Sequence, residues 1–188
     1  MLILASKSPR RKELLSLITK DFMAVSRDVD ETIPEDMSPE NAVLYLSRIK
    51  AEPFMNDNDV IIGADTMVVL NGKILGKPAD EEEAFSILKE LSGKEHSVYT
   101  GVTLISPQGK KSFFKETKVK FYELSDGEIS TYIKTGECLD KAGAYGIQGY
   151  GSLFVERIEG DYFNVVGLPV SALYRELQNP FFSDFNKI

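Results

Sequence analysis

The sequence predicts a mixed α/β (α+β) fold, in which helices flank a sheet that contains both parallel and antiparallel strands. Helix and strand patterns alternate along most of the chain, which is typical of strands joined by helical crossovers. Other strand patterns are separated by only a few turn residues, and such short connections join antiparallel strands. The 188 residues are 43% hydrophobic and 27% charged, which is ordinary for a globular protein with one or two lobes. We therefore expect a single domain over residues 1–188.

The first elements are two strands, each followed by a helix. Leu2–Ala5 is apolar and predicts a short buried strand, and Phe22–Ser26 predicts a second one. Ser8 and Ser38 each precede a proline, a pair that is typical of an N-cap and the first helical position. Apolar residues recur at helical spacing after each cap, namely Leu14, Leu15 and Ile18, and then Ala42, Val43, Leu46 and Ile49.

Three hairpins are predicted where strand patterns lie on either side of short turns. Asn71-Gly72 is the best hairpin turn in the sequence, and Pro107-Gln108-Gly109 and Glu159-Gly160 mark the other two. The predicted strand pairs are Val60–Leu70 with Lys73–Leu75, His96–Ile105 with Lys111–Tyr122, and Leu153–Ile158 with Tyr162–Val166.

Three further helices are predicted from their first residues. Asp80 with Glu83, and Ser125 with Glu128, have the spacing of a capping box, in which each side chain pairs with the other residue's backbone N–H. Pro169 begins the last helix, which continues through apolar residues at helical spacing.

Charge and composition exclude several classes of function. The 22 basic and 29 acidic residues give a net charge of -7, the wrong sign for coating a nucleic-acid backbone. No stretch approaches the roughly 18 apolar residues of a membrane span, so we expect no partner among membranes or nucleic-acid polymers. Basic residues directly follow Leu2–Ala5, which is unlike a secretory signal, and we expect the protein in the cytoplasm.

Cys138 is the only cysteine and His96 the only histidine. A single cysteine excludes an internal disulfide and a thiolate zinc site, and a single histidine excludes a multi-histidine metal site. We expect both side chains to be structural.

The segment Ser6–Lys12 is the first candidate for a binding site. It places hydroxyl, guanidinium and ammonium groups around a helix N-terminus, whose unpaired N–H groups already attract anions. Positive charge at that end of a helix is destabilising by roughly 0.3 to 1 kcal/mol, because it opposes the helix dipole. A bound phosphate would explain why basic residues are present there. The alternative is that these basic residues face solvent in the first turn of the helix and bind no phosphate. The segment contains no glycine and is therefore not a Walker loop.

Asp65 is the second candidate, because it lies in the apolar strand pattern Ile61–Val69. Alternation places it on the same face as Ile61, Gly63 and Met67, where an unpaired carboxylate would be costly to bury. The side chain must have a partner. A metal ion or a role in proton transfer would account for it, and Gly63 would leave space for a ligand. An exposed strand end or a structural salt bridge is the alternative.

Weaker candidates lie elsewhere in the chain. Asp30-Glu31, Lys50 and Lys77 would each be a surface charge when considered alone. The segment Asp140–Gly151 spaces glycines through a polar loop, which would let backbone approach a ligand while Gln148 contacts a base edge. It is not a dinucleotide-binding fingerprint, since a strand pattern and not a helix follows it.

These segments belong to a series of motifs along the chain, namely Ala5-Ser6-Lys7-Ser8-Pro9-Arg10-Arg11, Asp30-Glu31, Gly63-Ala64-Asp65-Thr66, Leu75-Gly76-Lys77-Pro78, Leu91-Ser92-Gly93 with His96, Thr100-Gly101, Gly136-Glu137 with Asp140 to Gly149, and Asn164-Val165-Val166-Gly167-Leu168-Pro169. Together these motifs resemble the Maf nucleotide pyrophosphatases, over the chain from Leu2 to about Leu177. The resemblance implies a Maf/Ham1 (ITPase)-like fold: an elongated mixed sheet flanked by helices, with a cleft between two lobes. It also implies hydrolysis of nucleoside triphosphates to the monophosphate and diphosphate.

The resemblance also implies roles for individual residues. Asp65 would accept a proton from the attacking water, and Glu31 and Asp65 would hold Mg²⁺ or Mn²⁺ together with phosphate oxygens and waters. Ser8, Arg11, Lys50 and Lys77 would contact phosphate oxygens. The implied catalytic residues are Asp65, Glu31, Lys50 and Lys77, and the implied substrate-binding residues are Ser8, Arg10, Arg11, Thr66 and Gln148.

Three positions indicate a branch of the family. The branch that acts on dTTP and UTP resembles this chain at Arg10, Thr66 and Gln148, whereas the branch that acts on 7-methyl-GTP carries other residues there. The resemblance therefore implies pyrimidine nucleotides as substrates, modified ones included. The alternative is a nucleotide-binding regulator of septum formation without significant turnover. A homodimer is among the assemblies that the sequence leaves open.

Overall fold

A computed structural model describes residues 1–185 of the protein as a mixed seven-stranded sheet flanked by helices. The predicted α/β class is confirmed. The strand order is β2-β1-β3-β5-β6-β7, and β4 pairs with β3. Within the described residues, no helix combines the length and apolar character needed to cross a membrane. The strands are β1 Leu2–Ala5, β2 Met23–Val25, β3 Val60–Leu70, β4 Lys73–Leu75, β5 Glu95–Ser106, β6 Gly109–Phe121 and β7 Val155–Glu159, and the helices are α1 Pro9–Leu15, α2 Pro39–Ala51, α3 Glu81–Leu91, α4 Asp126–Ile133, α5 Tyr162–Val166 and α6 Val170–Leu177.

The chain divides into two units, each with its own buried residues. The first comprises residues 1–65, 100–115 and the described residues from 167 onward, and the second comprises 66–99 and 116–166. In the first unit, one buried cluster contains Ile3, Ala5, Ala51, Ile61 and Ile105. In the second unit, aromatic rings pack edge to face, with Phe121 4.8 Å from Tyr145 and Tyr132 4.9 Å from Phe154, measured between ring centroids.

Parallel pairing in the first unit sets the position of the candidate site. β1 pairs in parallel with β2 on one side and with β3 on the other, with Leu4 opposite Ala24 and Ile62. β1 and β2 therefore end side by side at Ala5 and Val25, whereas β3 continues to Leu70 and carries Asp65 just past the carboxyl end of β1. In open α/β sheets the edge at the carboxyl ends of the strands is where ligands usually bind.

The predicted helix starts are confirmed by their hydrogen bonds. The Ser8, Ser38 and Asp80 side chains accept from the backbone N–H three residues later. Ser125 and Glu128 form a full capping box. Glu83 instead accepts from the backbone N–H of Ala79, so the motif at α3 is a variant. Helix α1 ends at Leu15, earlier than the predicted continuation to Ile18.

The predicted hairpin of Leu153–Ile158 with Tyr162–Val166 is wrong. Tyr150–Phe154 is a 3₁₀ helix, β7 pairs antiparallel with β6, and residues 162–166 form helix α5. The Asp161 carboxylate accepts from the backbone N–H of Phe163 at 2.8 Å, which starts a helical turn. Asn164 is fully buried and donates to the Val98 carbonyl at 2.9 Å. The local bond of Asp161 and the long-range bond of Asn164 thus override the alternating pattern. The other two predicted hairpins are confirmed.

Candidate active site

A lysine ammonium and two carboxylates form the charged centre of the first unit. Lys50 Nζ lies 2.6 Å from Asp65 Oδ1 and 2.8 Å from Glu31 Oε2. The Asp65 side chain is 12% exposed and that of Lys50 18%, whereas Glu31 is 55% exposed. The prediction that Asp65 has a partner is confirmed, and the partner in this structure is Lys50. A charge-assisted contact of this length fixes the carboxylate in one place.

Close packing of α2 on the sheet brings Lys50 to Asp65. A Cβ atom built on Gly63 would overlap the Ser47 carbonyl oxygen and lie 2.9 Å from the Ala51 Cβ. A Cβ on Gly101 would likewise overlap the Val43 carbonyl. The expectation that Gly63 leaves space for a ligand is therefore wrong, because the backbone of α2 fills that space.

Helix α1 begins at the same edge of the sheet. Ser8 Oγ accepts from the Arg11 backbone N–H at 3.4 Å, and Ser6 Oγ accepts from the Ser8 N–H at 3.2 Å. Arg11 Nε donates to the Gly167 carbonyl at 2.9 Å, so the C-terminal Gly167 motif anchors this side chain within the first unit.

Arg11 lies within the electrostatic reach of both acidic residues. Burial lowers the pKa of Arg11, the Asp65 carboxylate opposes that shift, the neighbouring Arg10 adds to it, and Glu31 opposes it. An arginine stays charged even when it is partly desolvated, so the guanidinium remains a cation beside two anions. The first unit thus brings together Ser8, Arg10, Arg11, Glu31, Lys50 and Asp65.

Thr66, Lys77 and Gln148 belong to the second unit. Thr66 follows Asp65 on β3 and is half-buried, whereas Lys77 and Gln148 are exposed. The glycine loop is joined to the segment that carries Lys77, because the Gly143 N–H donates to the Gly76 carbonyl at 3.0 Å. A Cβ on Gly143 would lie 2.8 Å from a Val68 methyl group, so β3 also contacts this loop.

The glycines of the loop contact protein atoms. A Cβ on Gly149 would overlap the Glu137 carboxylate, and one on Gly146 would lie 2.6 Å from Lys141 Cε. The expectation that these glycines let backbone approach a ligand is therefore wrong for both positions. No role was predicted for Glu137, although its place in a motif before the glycine loop was a usable signal.

The single histidine and the single cysteine of the sequence both lie in the core. His96 is 2% exposed, and its Nε2 lies 2.9 Å from the Tyr145 hydroxyl. Burial lowers the pKa of His96 to about 4, so the ring is neutral at pH 7. Cys138 is fully buried, and burial raises the pKa of its thiol. The structural interpretation of both residues is confirmed.

Carboxylates supply the donors that a divalent cation could use. Among residues 1–185, no group of three or more histidine, cysteine, aspartate or glutamate side chains could hold a metal ion. Glu31 and Asp65 instead offer hard oxygen ligands on either side of a cationic ammonium. Mg²⁺ commonly binds through one or two carboxylates, with substrate phosphates and waters in the other positions. The donor set therefore fits such an ion bound together with a phosphorylated substrate.

Comparisons with known proteins identify the family of the chain. The chain is 54% identical over 179 residues to a dTTP/UTP pyrophosphatase of Geobacillus sp. (strain WCH70), covering 94% of this chain and 96% of that one. It is 58% identical to the dTTP/UTP pyrophosphatase of Carboxydothermus hydrogenoformans, covering 93% and 96%. The structure of a HAM1 protein from Coxiella burnetii shares the fold, with a TM-score of 0.53, 12% identity and coverage of 94% of this chain and 98% of that chain. The family described as Maf-like protein matches residues 1–180, and the chain belongs to this Maf family.

Proposed function

We propose that the chain hydrolyses dTTP and UTP to the nucleoside monophosphate and diphosphate. The observation that carries the proposal is the Asp65–Lys50–Glu31 cluster, in which two carboxylates flank an ammonium group just past the carboxyl end of β1. Relatives that share at least half of the sequence are named dTTP/UTP pyrophosphatases, which supports this substrate class.

In the proposed reaction, the oxygen of a water molecule attacks the α-phosphorus. The bond between this phosphorus and the bridging oxygen breaks, and diphosphate leaves with the electron pair. Asp65 accepts the proton of the attacking water, a role that needs a carboxylate held in place. The contact with Lys50 at 2.6 Å fixes the position of that carboxylate.

Cationic side chains hold the phosphate oxygens in this scheme. Lys50 has three N–H donors, and its contacts with Asp65 and Glu31 use two, which leaves a third for a phosphate oxygen. Arg11 and Lys77 contribute further positive charge, and Ser8 contributes a hydroxyl. Positioning and charge stabilisation supply most of the rate in phosphoryl transfer.

Glu31 and Asp65 are the residues that would hold Mg²⁺ or Mn²⁺. A bound ion of this kind neutralises charge that develops on phosphate oxygens. Treatment with EDTA should therefore abolish turnover, and excess Mg²⁺ or Mn²⁺ should restore it. EDTA that is saturated with Mg²⁺ beforehand serves as the control and should leave activity unchanged. Full activity in metal-free EDTA would exclude the ion from the reaction.

Base selection is assigned to Arg10, Thr66 and Gln148. The Gln148 amide can donate and accept, and so matches the alternating acceptor and donor groups on the edge of uracil or thymine. A site built on such hydrogen bonds rejects bases that leave its groups unpaired.

The Gln148→Glu variant should change the choice of base more than the metal requirement. A carboxylate cannot donate, so the preference for dTTP over GTP in kcat/KM should fall by about tenfold, the value of one lost hydrogen bond. Gln108→Glu changes an exposed amide in the β5–β6 turn in the same way and should leave the ratio unchanged. An unaltered ratio in Gln148→Glu would remove this residue from base selection.

A substrate panel tests the proposed function itself. Purified protein is incubated with dTTP, UTP, ATP, GTP and 7-methyl-GTP in Mg²⁺ or Mn²⁺, and diphosphate release is measured. We expect dTTP and UTP to lead in kcat/KM. If dTTP binds in calorimetry while no nucleotide yields diphosphate, the protein is a nucleotide-binding regulator. If GTP or 7-methyl-GTP leads, the assignment to pyrimidines is wrong.

A further inference from the structure

The Glu137 carboxylate accepts three hydrogen bonds in the second unit. Its Oε2 accepts from the Tyr150 backbone N–H at 2.9 Å. Its Oε1 accepts from the Gly151 N–H at 3.2 Å and from the Tyr132 hydroxyl at 3.0 Å. Three donors thus converge on one half-buried carboxylate, and two of them are backbone groups just after Gln148.

Tyr132 links the Glu137 carboxylate to Gly146, at the start of the same loop. Its hydroxyl oxygen accepts from the Gly146 backbone N–H at 3.1 Å while the hydroxyl donates to Glu137. The ring packs against Phe154, and both residues are buried, so the hydroxyl is fixed by α4 and by the core. Burial raises the pKa of Tyr132, which keeps it a donor at neutral pH.

Three loop glycines make this close packing possible. Besides the overlap at Gly149, a Cβ on Gly146 would lie 2.8 Å from Glu137 Oε1, and one on Gly151 would lie 2.7 Å from the Gly146 carbonyl. Real Cβ atoms do not approach other atoms this closely, so only glycine lets the backbone pass here. The residues between these glycines, Gln148 among them, are held at both ends by Glu137 and Tyr132.

We infer that Glu137 is a positioning residue that sets base selectivity by holding the loop 146–151 in the conformation that presents Gln148. This inference rests on the proposed function. An amide discriminates between base edges only if its donor and acceptor are already oriented, since a mobile side chain adapts to either edge. Loss of the carboxylate should therefore weaken selectivity.

The test is the Glu137→Gln variant of the full chain. Glutamine has one carbonyl oxygen for three donors and sets its own N–H₂ against an N–H or O–H group. The dTTP-to-GTP ratio of kcat/KM should fall at least about tenfold, chiefly through a higher KM for dTTP, with kcat changed less than about threefold. Hydrogen exchange of the Tyr150 and Gly151 amides should accelerate at least about tenfold, because local opening becomes easier.

Further variants distinguish a positioning role of Glu137 from a general loss of folded structure. Glu137→Asp retains two acceptor oxygens and should recover part of the selectivity. Tyr132→Phe removes the link to Gly146 and should act in the same direction with a smaller effect, which keeps the inference testable if Glu137→Gln does not fold. Glu156→Gln changes an exposed glutamate of the second unit and should leave both readouts at wild-type values.

Each result has a definite meaning. A fall in the nucleotide ratio together with faster exchange supports the inference. A folded Glu137→Gln variant with wild-type ratio and exchange overturns it, and so does an equal loss of kcat for every nucleotide. If the wild-type protein hydrolyses no nucleotide, the proposed function fails, and exchange at Tyr150 and Gly151 still decides whether Glu137 holds the loop.

Discussion

The Asp65→Asn variant is expected to lose dTTP and UTP hydrolysis by about 10²- to 10⁴-fold in kcat, the usual contribution of a general base. Asparagine has nearly the same size but cannot accept a proton or hold a cation as an anion. The fold should persist, because Lys50 keeps its contact with Glu31 at 2.8 Å. Steady-state diphosphate release gives kcat, and thermal melting confirms that the variant is folded.

Asp59→Asn is the matched control for that loss. Asp59 is also an aspartate of the first unit paired with a cation, the N-terminal ammonium, at 2.8 Å. It lies outside the Lys50 cluster, so its replacement should leave kcat within about twofold of wild type and cost at most about 1 kcal/mol of stability. Wild-type turnover in folded Asp65→Asn protein would remove Asp65 from the reaction.

The Gly63→Ala variant is expected to be strongly destabilised. The added methyl group would collide with the Ser47 carbonyl and lie 3.0 Å from the Ala51 backbone nitrogen, so α2 must move away from β3. Overpacking of this kind costs roughly 1 to 3 kcal/mol and more when backbone is struck, which lowers Tm by about 5 °C or more in a chain of this size. Because α2 carries Lys50, kcat should fall as well.

Gly127→Ala provides the comparison for the stability measurement. Gly127 lies in α4, and the nearest atom to an added Cβ is Ser125 Oγ at 3.9 Å. Alanine is favoured over glycine within helices by up to about 1 kcal/mol, so Tm should stay level or rise. If Gly63→Ala melts at the wild-type temperature, close packing of α2 on β3 is not needed for the fold.

Local signals in the sequence predicted most of the elements. The caps at Ser8, Ser38 and Ser125 were found because an N-cap requires only residues within one turn. The hairpin after β3 was found for the same reason. Helix α5 was missed because its start depends on Asp161 and its orientation on Asn164, a buried side chain bonded to Val98, 66 residues away in sequence.

The candidate site was also predicted only in part, because some of its contacts join residues that are far apart in sequence. Burial of Asp65 on an apolar strand face required a partner, but only the packing of α2 against Gly63 identifies that partner as Lys50. Glycines at 146, 149 and 151 indicated a close approach of backbone, and the sequence could not tell whether a ligand or a protein side chain fills the space. The structure places Glu137 against Gly146 and Gly149, and the Gly146 backbone against Gly151.

The most direct measurement of the proposed chemistry uses water enriched in ¹⁸O. The protein hydrolyses dTTP in this water with Mg²⁺ present, and mass spectrometry locates the label in the products. Attack at the α-phosphorus predicts one ¹⁸O atom in dTMP and none in diphosphate. Label in diphosphate, or the formation of dTDP and inorganic phosphate, would contradict the reaction that we assign to Asp65.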